Sequence, residues 1–116
     1  MNTIEHARQA LGIRLRALRK ERKLTCEQLA DKVQGLTRST LATIERGQRP
    51  CGTCLGSRLA KALDLKGDDY DTFMLACAAT TVDGHVLLSI AGHMHHSQLA
   101  YWFMNHGFDT YKYNSP

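Results

Sequence analysis

The sequence predicts a mainly α protein, in which five helices form a small domain and a short C-terminal extension follows. Three observations predict this fold. Between Leu24 and Pro50, capping residues, apolar stripes and glycines alternate at the spacing of two short helices joined by a tight turn. Leucines recur at three- and four-residue spacing on both sides of this stretch. All aromatic residues lie at or beyond Tyr70, so the C-terminal part must pack by different means.

Helix 1 is expected from about Thr3 to Arg22, and helix 2 over about 26–33. Thr25 can cap helix 2, and Gln28 stands three residues later. This is a capping box, in which each side chain satisfies a free backbone N–H at the other position. The helix then carries an apolar stripe of Leu29, Ala30 and Val33. Gly35 is expected to end it, because glycine enters the left-handed conformation without steric cost.

Helix 3 is expected over about 38–46, with Thr37 as its cap. Its inward face carries Leu41 and Ile44. Gly47 stops the helix, and Pro50 prevents its extension. Two short helices separated by a few residues with a glycine match the helix-turn-helix unit.

Helix 4 is expected over about 55–64. Helix 5 follows over about 68–80, where Asp68 and Asp69 suit the positive N-terminal end of a helix. The N-terminal core is expected to be aliphatic: Leu11, Leu15, Leu18, Leu29, Val33, Leu41, Ile44, Leu59, Ala62 and Leu63.

Two interpretations of the extension remain open. Gly84 is expected to mark a turn, and 85–90 has the pattern of a strand or of a helix start. The first interpretation is a strand–helix–strand tail, with the helix over 97–106 and a strand over 108–113. The second is one longer helix over 86–106. The extension therefore adds a helix and one or two strands, or a single helix.

Charged residues, like the aromatic ones, are distributed unevenly along the chain. Residues 1–66 hold 14 Lys and Arg against 6 Asp and Glu, whereas residues 67–116 hold 1 against 5. We therefore expect a basic DNA-binding domain over 1–66, and a dimerisation or partner-binding unit over 67–116 that includes helix 5. A basic half suits a surface that faces phosphates. A merely solvated charged face is the alternative for helix 1.

Other functional classes find little support in the sequence. We expect no signal peptide, and no apolar run approaches the roughly 20 residues needed to span a bilayer. A soluble, cytoplasmic protein is expected. Neither a glycine-rich phosphate loop nor a nucleophile elbow is present. We therefore expect no enzyme activity and no cofactor.

The chain resembles the helix-turn-helix family of the phage lambda repressor and Cro proteins, often called the XRE family. The resemblance covers roughly 7–65, and its pieces occur in order: LGIRLRALRKERKLT at 11–25, EQLA at 27–30, STLATIERG at 39–47, RP at 49–50 and LAKALDL at 59–65. Two departures stand out. The family usually has a phosphate-binding Gln where Cys26 stands, and the turn carries one extra residue at Gln34–Gly35.

The resemblance implies that helix 3 enters the major groove of DNA with its N-terminal residues. The residues expected at base edges are Thr37, Arg38, Ser39 and Thr43. Arg38 can donate two hydrogen bonds to guanine, and a phosphate contact is its alternative role. The residues expected to hold phosphates are Arg46, Gln48 and Arg49. Such contacts set register without carrying sequence information directly.

The resemblance also implies a salt bridge between Arg19 on helix 1 and Glu45 on helix 3. Its expected role is to position helix 3. It adds little net stability, because burying both charges costs about what their attraction returns.

The cysteines allow three interpretations. Cys51 and Cys54 form a C-x-x-C motif, which can be structural, redox-responsive or half of a metal site. A zinc site would need further ligands, such as the histidines in 93–96. The helix dipole is expected to lower the thiol pKa of Cys26, and Cys77 is expected to be buried.

The sequence therefore predicts a sequence-specific transcriptional regulator that binds double-stranded DNA as a homodimer, as a repressor of a palindromic operator. One alternative is an antitoxin-like module whose extension binds another protein. A third interpretation is a thiol- or metal-responsive sensor. Residues 81–116 are expected to make the main dimer contact, because 101–104 form a dense apolar block. A monomeric cap on helix 5 is the alternative for this tail.

Overall fold

The structure is a computed structural model and describes residues 3–90, with side chains over residues 4–86. The described part is helical and contains no strand, so the predicted mainly α fold is confirmed. It comprises α1 (Thr3–Glu21), α2 (Cys26–Asp31), α3 (Arg38–Glu45), α4 (Thr53–Ala62), α5 (Gly67–Ala79) and α6 (Val82–Ile90). None of these helices is long and apolar enough to cross a membrane.

The core forms where α1 packs against α3 and α5, and α4 packs against α5. All the predicted core residues are buried except Ala62, which is partly buried. The expectation of a purely aliphatic N-terminal core is wrong, because the ring of Phe73 on α5 is fully buried in the same cluster. Phe73 lies in this core because α5 packs against α1 and α4 and so closes the core with its inner face.

Several helix ends differ from the predicted bounds, because backbone capping is not visible in an apolar pattern. Helix α2 ends at Asp31 with Lys32 as its C-cap, before the predicted end at residue 33. Helix α4 begins at Thr53 and not at 55, since Gly52 is the extended N-cap and its carbonyl accepts from the Gly56 N–H at 2.8 Å. It ends at Ala62 and not at 64, because Asp64 turns the chain with a φ of 56°.

The expected turn at Gly84 does not form, and of the two interpretations of 85–90, a strand or a helix start, the structure shows helix. Both lie in α6, which starts after Thr81. The Thr81 hydroxyl accepts from the Gly84 N–H at 3.1 Å, and the Thr81 carbonyl accepts from the His85 N–H at 2.9 Å. A Cβ at Gly84 would stand 2.1 Å from the Ala78 carbonyl oxygen, so the glycine serves helix packing.

Several predictions fall on residues 91–116, which lie outside the described part of the chain. They are the histidines in 93–96, the helix over 97–106 and the strand over 108–113. The division of the chain at residue 66 also stays a prediction.

Candidate nucleic-acid interface

Helices α2 and α3 begin with the capping chemistry that the sequence predicts. The Thr25 hydroxyl accepts from the Gln28 N–H at 3.1 Å, and the Gln28 side chain accepts from the Thr25 N–H at 2.9 Å. At α3, the Thr37 hydroxyl accepts from the Thr40 N–H at 3.1 Å. These caps satisfy backbone donors that a helix start leaves free. Thr37 therefore has a structural task in addition to its predicted DNA contact.

The outward face of α3 is polar. Arg38 and Ser39 are exposed in its first turn, and Thr43 is half-buried one turn later. The Thr43 hydroxyl donates to the Ser39 carbonyl at 2.8 Å and accepts from Arg46 Nη2 at 3.4 Å. Ser39, Thr43 and Arg46 thus form one hydrogen-bonded row along this face, and Arg38 stands at its start.

The loop after α3 presents the remaining predicted DNA-binding side chains. Arg46, Gln48 and Arg49 are all exposed. Gly47 has a φ of 75°, and the N–H groups of Gly47 and Gln48 donate to the carbonyls of Ile44 and Thr43 at 3.0 and 3.2 Å. These two bonds form a Schellman motif, which reverses the chain at the end of a helix. The turn therefore places the loop side chains beside the C-terminal end of α3.

An ion pair joins α1 to the C-terminal end of α3. Arg19 Nε and Nη2 donate to the two carboxylate oxygens of Glu45 at 2.8 and 3.0 Å, and Arg19 Nη1 donates to the Leu24 carbonyl at 2.8 Å. The two side chains are 11% and 7% exposed. The hydrogen bonds to Glu45 raise the pKa of Arg19 against the effect of burial. A two-point contact of this kind restricts orientation as well as distance.

Two glycines let α1 approach α3 closely. A Cβ at Gly12 would lie 2.4 Å from the Glu45 carbonyl oxygen, and one at Gly47 would lie 2.9 Å from Gln9 Cα. Neither contact was predicted, although a glycine inside a leucine-rich helix is a signal for close packing. Together with the Arg19–Glu45 pair, they fix where the end of α3 lies.

The departures from the family pattern also have structural consequences. In the enlarged turn, Gly35 has a φ of 82°, and Arg58 of α4 donates to the Gln34 carbonyl at 2.9 Å. Sequence reasoning missed this contact, for which no local signal exists. The expected lowering of the Cys26 pKa is wrong. Burial raises the pKa of this thiol, and the Glu45 carboxylate nearby raises it further.

The two thiols of the C-x-x-C motif differ in burial. Cys51 is fully buried, whereas Cys54 is exposed on α4. Cys51 lies against Cys77, which is buried as predicted. Burial and the hydrogen bond to Cys51 raise the pKa of Cys77 well above its usual range. Among the described residues, no three His, Cys, Asp or Glu side chains come together as a metal site requires.

Comparison with known proteins identifies one family. Residues 10–73 match a family described as a helix-turn-helix domain. This segment starts in α1, contains all of α2, α3 and α4, and ends in α5. No curated protein and no solved structure matches the chain.

Proposed function

Because this match covers more than half of the chain, the chain belongs to that helix-turn-helix family, and we propose that it is a sequence-specific transcriptional repressor. In this proposal a homodimer binds a palindromic operator, with α3 of each copy in the major groove. The observation that carries the proposal is the first turn of α3. It presents exposed Arg38 and Ser39 on a helix whose opposite side is buried through Leu41 and Ile44.

The hydrogen bonds on α3 suggest different tasks for its polar residues. Within the described residues, the Arg38 guanidinium makes no hydrogen bond, so it is free to donate to guanine O6 and N7. The Thr43 hydroxyl already donates its proton to the Ser39 carbonyl. Thr43 therefore offers a base edge its methyl group, which suits thymine, or a lone pair that accepts a hydrogen bond.

The exposed side chains after α3 support phosphate binding. Arg46 Nε donates to the Gln48 amide oxygen at 3.5 Å, so these two side chains lie close together. Arg49 stands next to them on the same short loop. We propose that these three side chains hold the DNA backbone and set the register from which Arg38, Ser39 and Thr43 read bases.

The Arg19–Glu45 pair joins α1 to α3 and so supports this arrangement of the DNA-binding side chains. Glu45 carries a negative charge on the helix proposed to approach anionic DNA. Its carboxylate is 7% exposed and is held by two hydrogen bonds from Arg19. The negative charge of Glu45 is therefore neutralised and largely buried on the inner side of α3. We assign the Arg19–Glu45 pair a positioning role. The proposed repressor acts in the cytoplasm by binding alone, without catalysis and without a cofactor.

Selection of bound sites from random duplex DNA tests the proposal. The full chain, at one fixed salt concentration, is expected to enrich a palindrome whose half-sites lie about 10 base pairs apart. The matched control carries Arg38→Ala and Ser39→Ala together and keeps the loop cations. This control should retain weak binding but enrich no motif. If the unaltered chain enriches no motif, it does not read sequence and the proposal fails.

A further inference from the structure

Thr80 is a buried polar residue that joins three separate segments of the chain. It follows α5 directly and is fully buried. Its hydroxyl lies 2.9 Å from both the N–H nitrogen and the carbonyl oxygen of Cys51, and 2.6 Å from the Cys77 carbonyl oxygen. Its own carbonyl accepts from Arg8 Nε on α1 at 2.9 Å. Thr80 lies beyond the segment that matches the family, which ends at residue 73.

The hydroxyl of Thr80 has the donor and acceptor groups that Cys51 needs. A hydroxyl carries one proton and two lone pairs, so it accepts from the Cys51 N–H while it donates to a carbonyl. Cys51 is fully buried, and a buried backbone N–H without a partner is strongly unfavourable. Thr80 therefore holds the backbone of Cys51 in one place.

Cys51 is one end of the loop that carries two of the three proposed phosphate contacts, Gln48 and Arg49. The other end is Gly47, which lies against Gln9 of α1. Only residues 48–50 stand between these two anchors, and all three are exposed. With so short a span, the position of the exposed Arg49 depends on both anchors.

We propose that Thr80 is a positioning residue for DNA binding, which holds the loop after α3 through Cys51 so that Arg49 meets a phosphate. This inference rests on the proposed function and extends it to a residue outside the helix-turn-helix unit. Thr80 also links that loop to the end of α5, immediately before α6.

The salt dependence of binding distinguishes positioning from stability. Loss of a phosphate contact makes the slope of log K against log[salt] shallower by about 0.9 for each contact. Loss of stability instead reduces the active fraction, which titration at saturating DNA measures at each salt concentration so that log K can be corrected for it. For Thr80→Val in the full chain, with a selected operator, we expect a slope shallower by about 1.8 per dimer. The base preference read by Arg38 should not change.

A matched pair of variants isolates the hydroxyl. Thr80→Ser and Thr80→Ala both remove the methyl group, and only the serine keeps the oxygen. We expect the wild-type slope for serine and a shallower slope for alanine. This pair also replaces Thr80→Val if that variant does not fold. Equal slopes for the two variants would overturn the inference.

A double-mutant cycle with Arg49→Ala identifies the side chain through which Thr80 acts. If Thr80 positions Arg49, the two substitutions share one effect, and the double variant should have nearly the slope of either single variant. Additive changes in slope would overturn the inference and leave the proposed function intact. If the unaltered chain binds no duplex DNA, the proposed function itself fails.

Discussion

Arg38 and Glu45 lie at opposite ends of α3 and show how differently two charged residues on one helix are used. Arg38 is exposed, and its guanidinium makes no hydrogen bond within the described part of the chain. Glu45 is nearly buried, and both of its carboxylate oxygens are bound by Arg19. Substitutions at the two positions should therefore have separable effects, on recognition at Arg38 and on folding at Glu45.

Replacing Arg38 with alanine is expected to relax the preference at one base pair in each half-site. The cost for the preferred sequence should be about 1–3 kcal/mol, because a two-point contact with guanine is lost. Binding titrations against operators altered at single positions measure this effect. Arg49→Ala is the control, since loss of a phosphate contact weakens binding to all sequences alike. If Arg38→Ala shows that same uniform pattern, Arg38 contacts a phosphate and does not read a base.

Replacing Glu45 with glutamine is expected to lower the free energy of unfolding by about 3 kcal/mol. The substitution leaves the charge of Arg19 buried without its partner, which is the costly way to break such a pair. Urea denaturation gives the change, with the slope m as a check on cooperativity. Glu21→Gln is the matched control.

The Glu21 carboxylate is 72% exposed and 3.8 Å from Arg22, so its replacement should change stability by at most about 0.5 kcal/mol. Equal effects at Glu45 and Glu21 would show that the Arg19–Glu45 contact is not a buried pair.

At the scale of helices, the sequence predicts best where structure is local. The starts of α2 and α3 follow from Thr25, Gln28 and Thr37, whose hydrogen bonds span only three residues. Gly84 misled the prediction, because a glycine needed for close helix packing looks like a turn when only its neighbours are considered. The surroundings of Gly84 are set by contact with the end of α5, which the local pattern does not contain.

Gly12→Ala tests the close approach of α1 to α3. Alanine favours a helix over glycine by about 1 kcal/mol, so helix propensity alone predicts a more stable protein. The new Cβ would stand 2.4 Å from the Glu45 carbonyl oxygen, however, and backbone cannot move aside as a side chain can. We expect the clash to outweigh the gain in helix propensity, so that the free energy of unfolding measured by urea denaturation falls by about 1–3 kcal/mol.

Ile13→Ala, at the next position of the same helix, is the control. Its side chain is 71% exposed, so the change should stay within about 0.5 kcal/mol. A stability gain for Gly12→Ala would mean that the two helices do not approach so closely.

At the scale of the whole molecule, contacts between distant residues limit what the sequence can predict. The positions of Arg38, Ser39 and Thr43 on α3 follow from helical spacing. The contacts that hold this unit in place do not, since Arg58 reaches the carbonyl of a residue 24 positions away and Arg8 one 72 positions away. Such pairings arise from the packing of helices and leave no local pattern.

The uneven charge of the chain predicts a steep salt dependence of DNA binding. Residues 1–66 carry 14 of the 15 Lys and Arg residues. Two copies on one operator would neutralise several phosphates, so log K should fall by about 0.9 per phosphate for each tenfold rise in salt. Fluorescence titrations with the selected operator at several salt concentrations measure the slope. A nearly flat dependence would contradict the proposal that the basic part of the chain faces DNA.

Deleting residues 91–116 tests whether the part of the 81–116 tail that follows α6 makes the main dimer contact. The deletion keeps α6, which packs on α5. It removes the apolar block at 101–104, whose aromatic and Met side chains are of the types enriched in interface cores.

We expect the truncated chain to be a monomer in solution, whereas the full chain is expected to be a dimer. It should lose most of its affinity for a palindrome but still bind a single half-site weakly, since α3 remains intact. The full-length variant Trp102→Ala, Phe103→Ala is the matched control and should also be a monomer, without a shorter chain. If both proteins remain dimers of unchanged affinity, the deleted segment does not join two copies. Its aromatic block is then better explained as a surface for another protein, because neither dimerisation nor DNA contact would account for it.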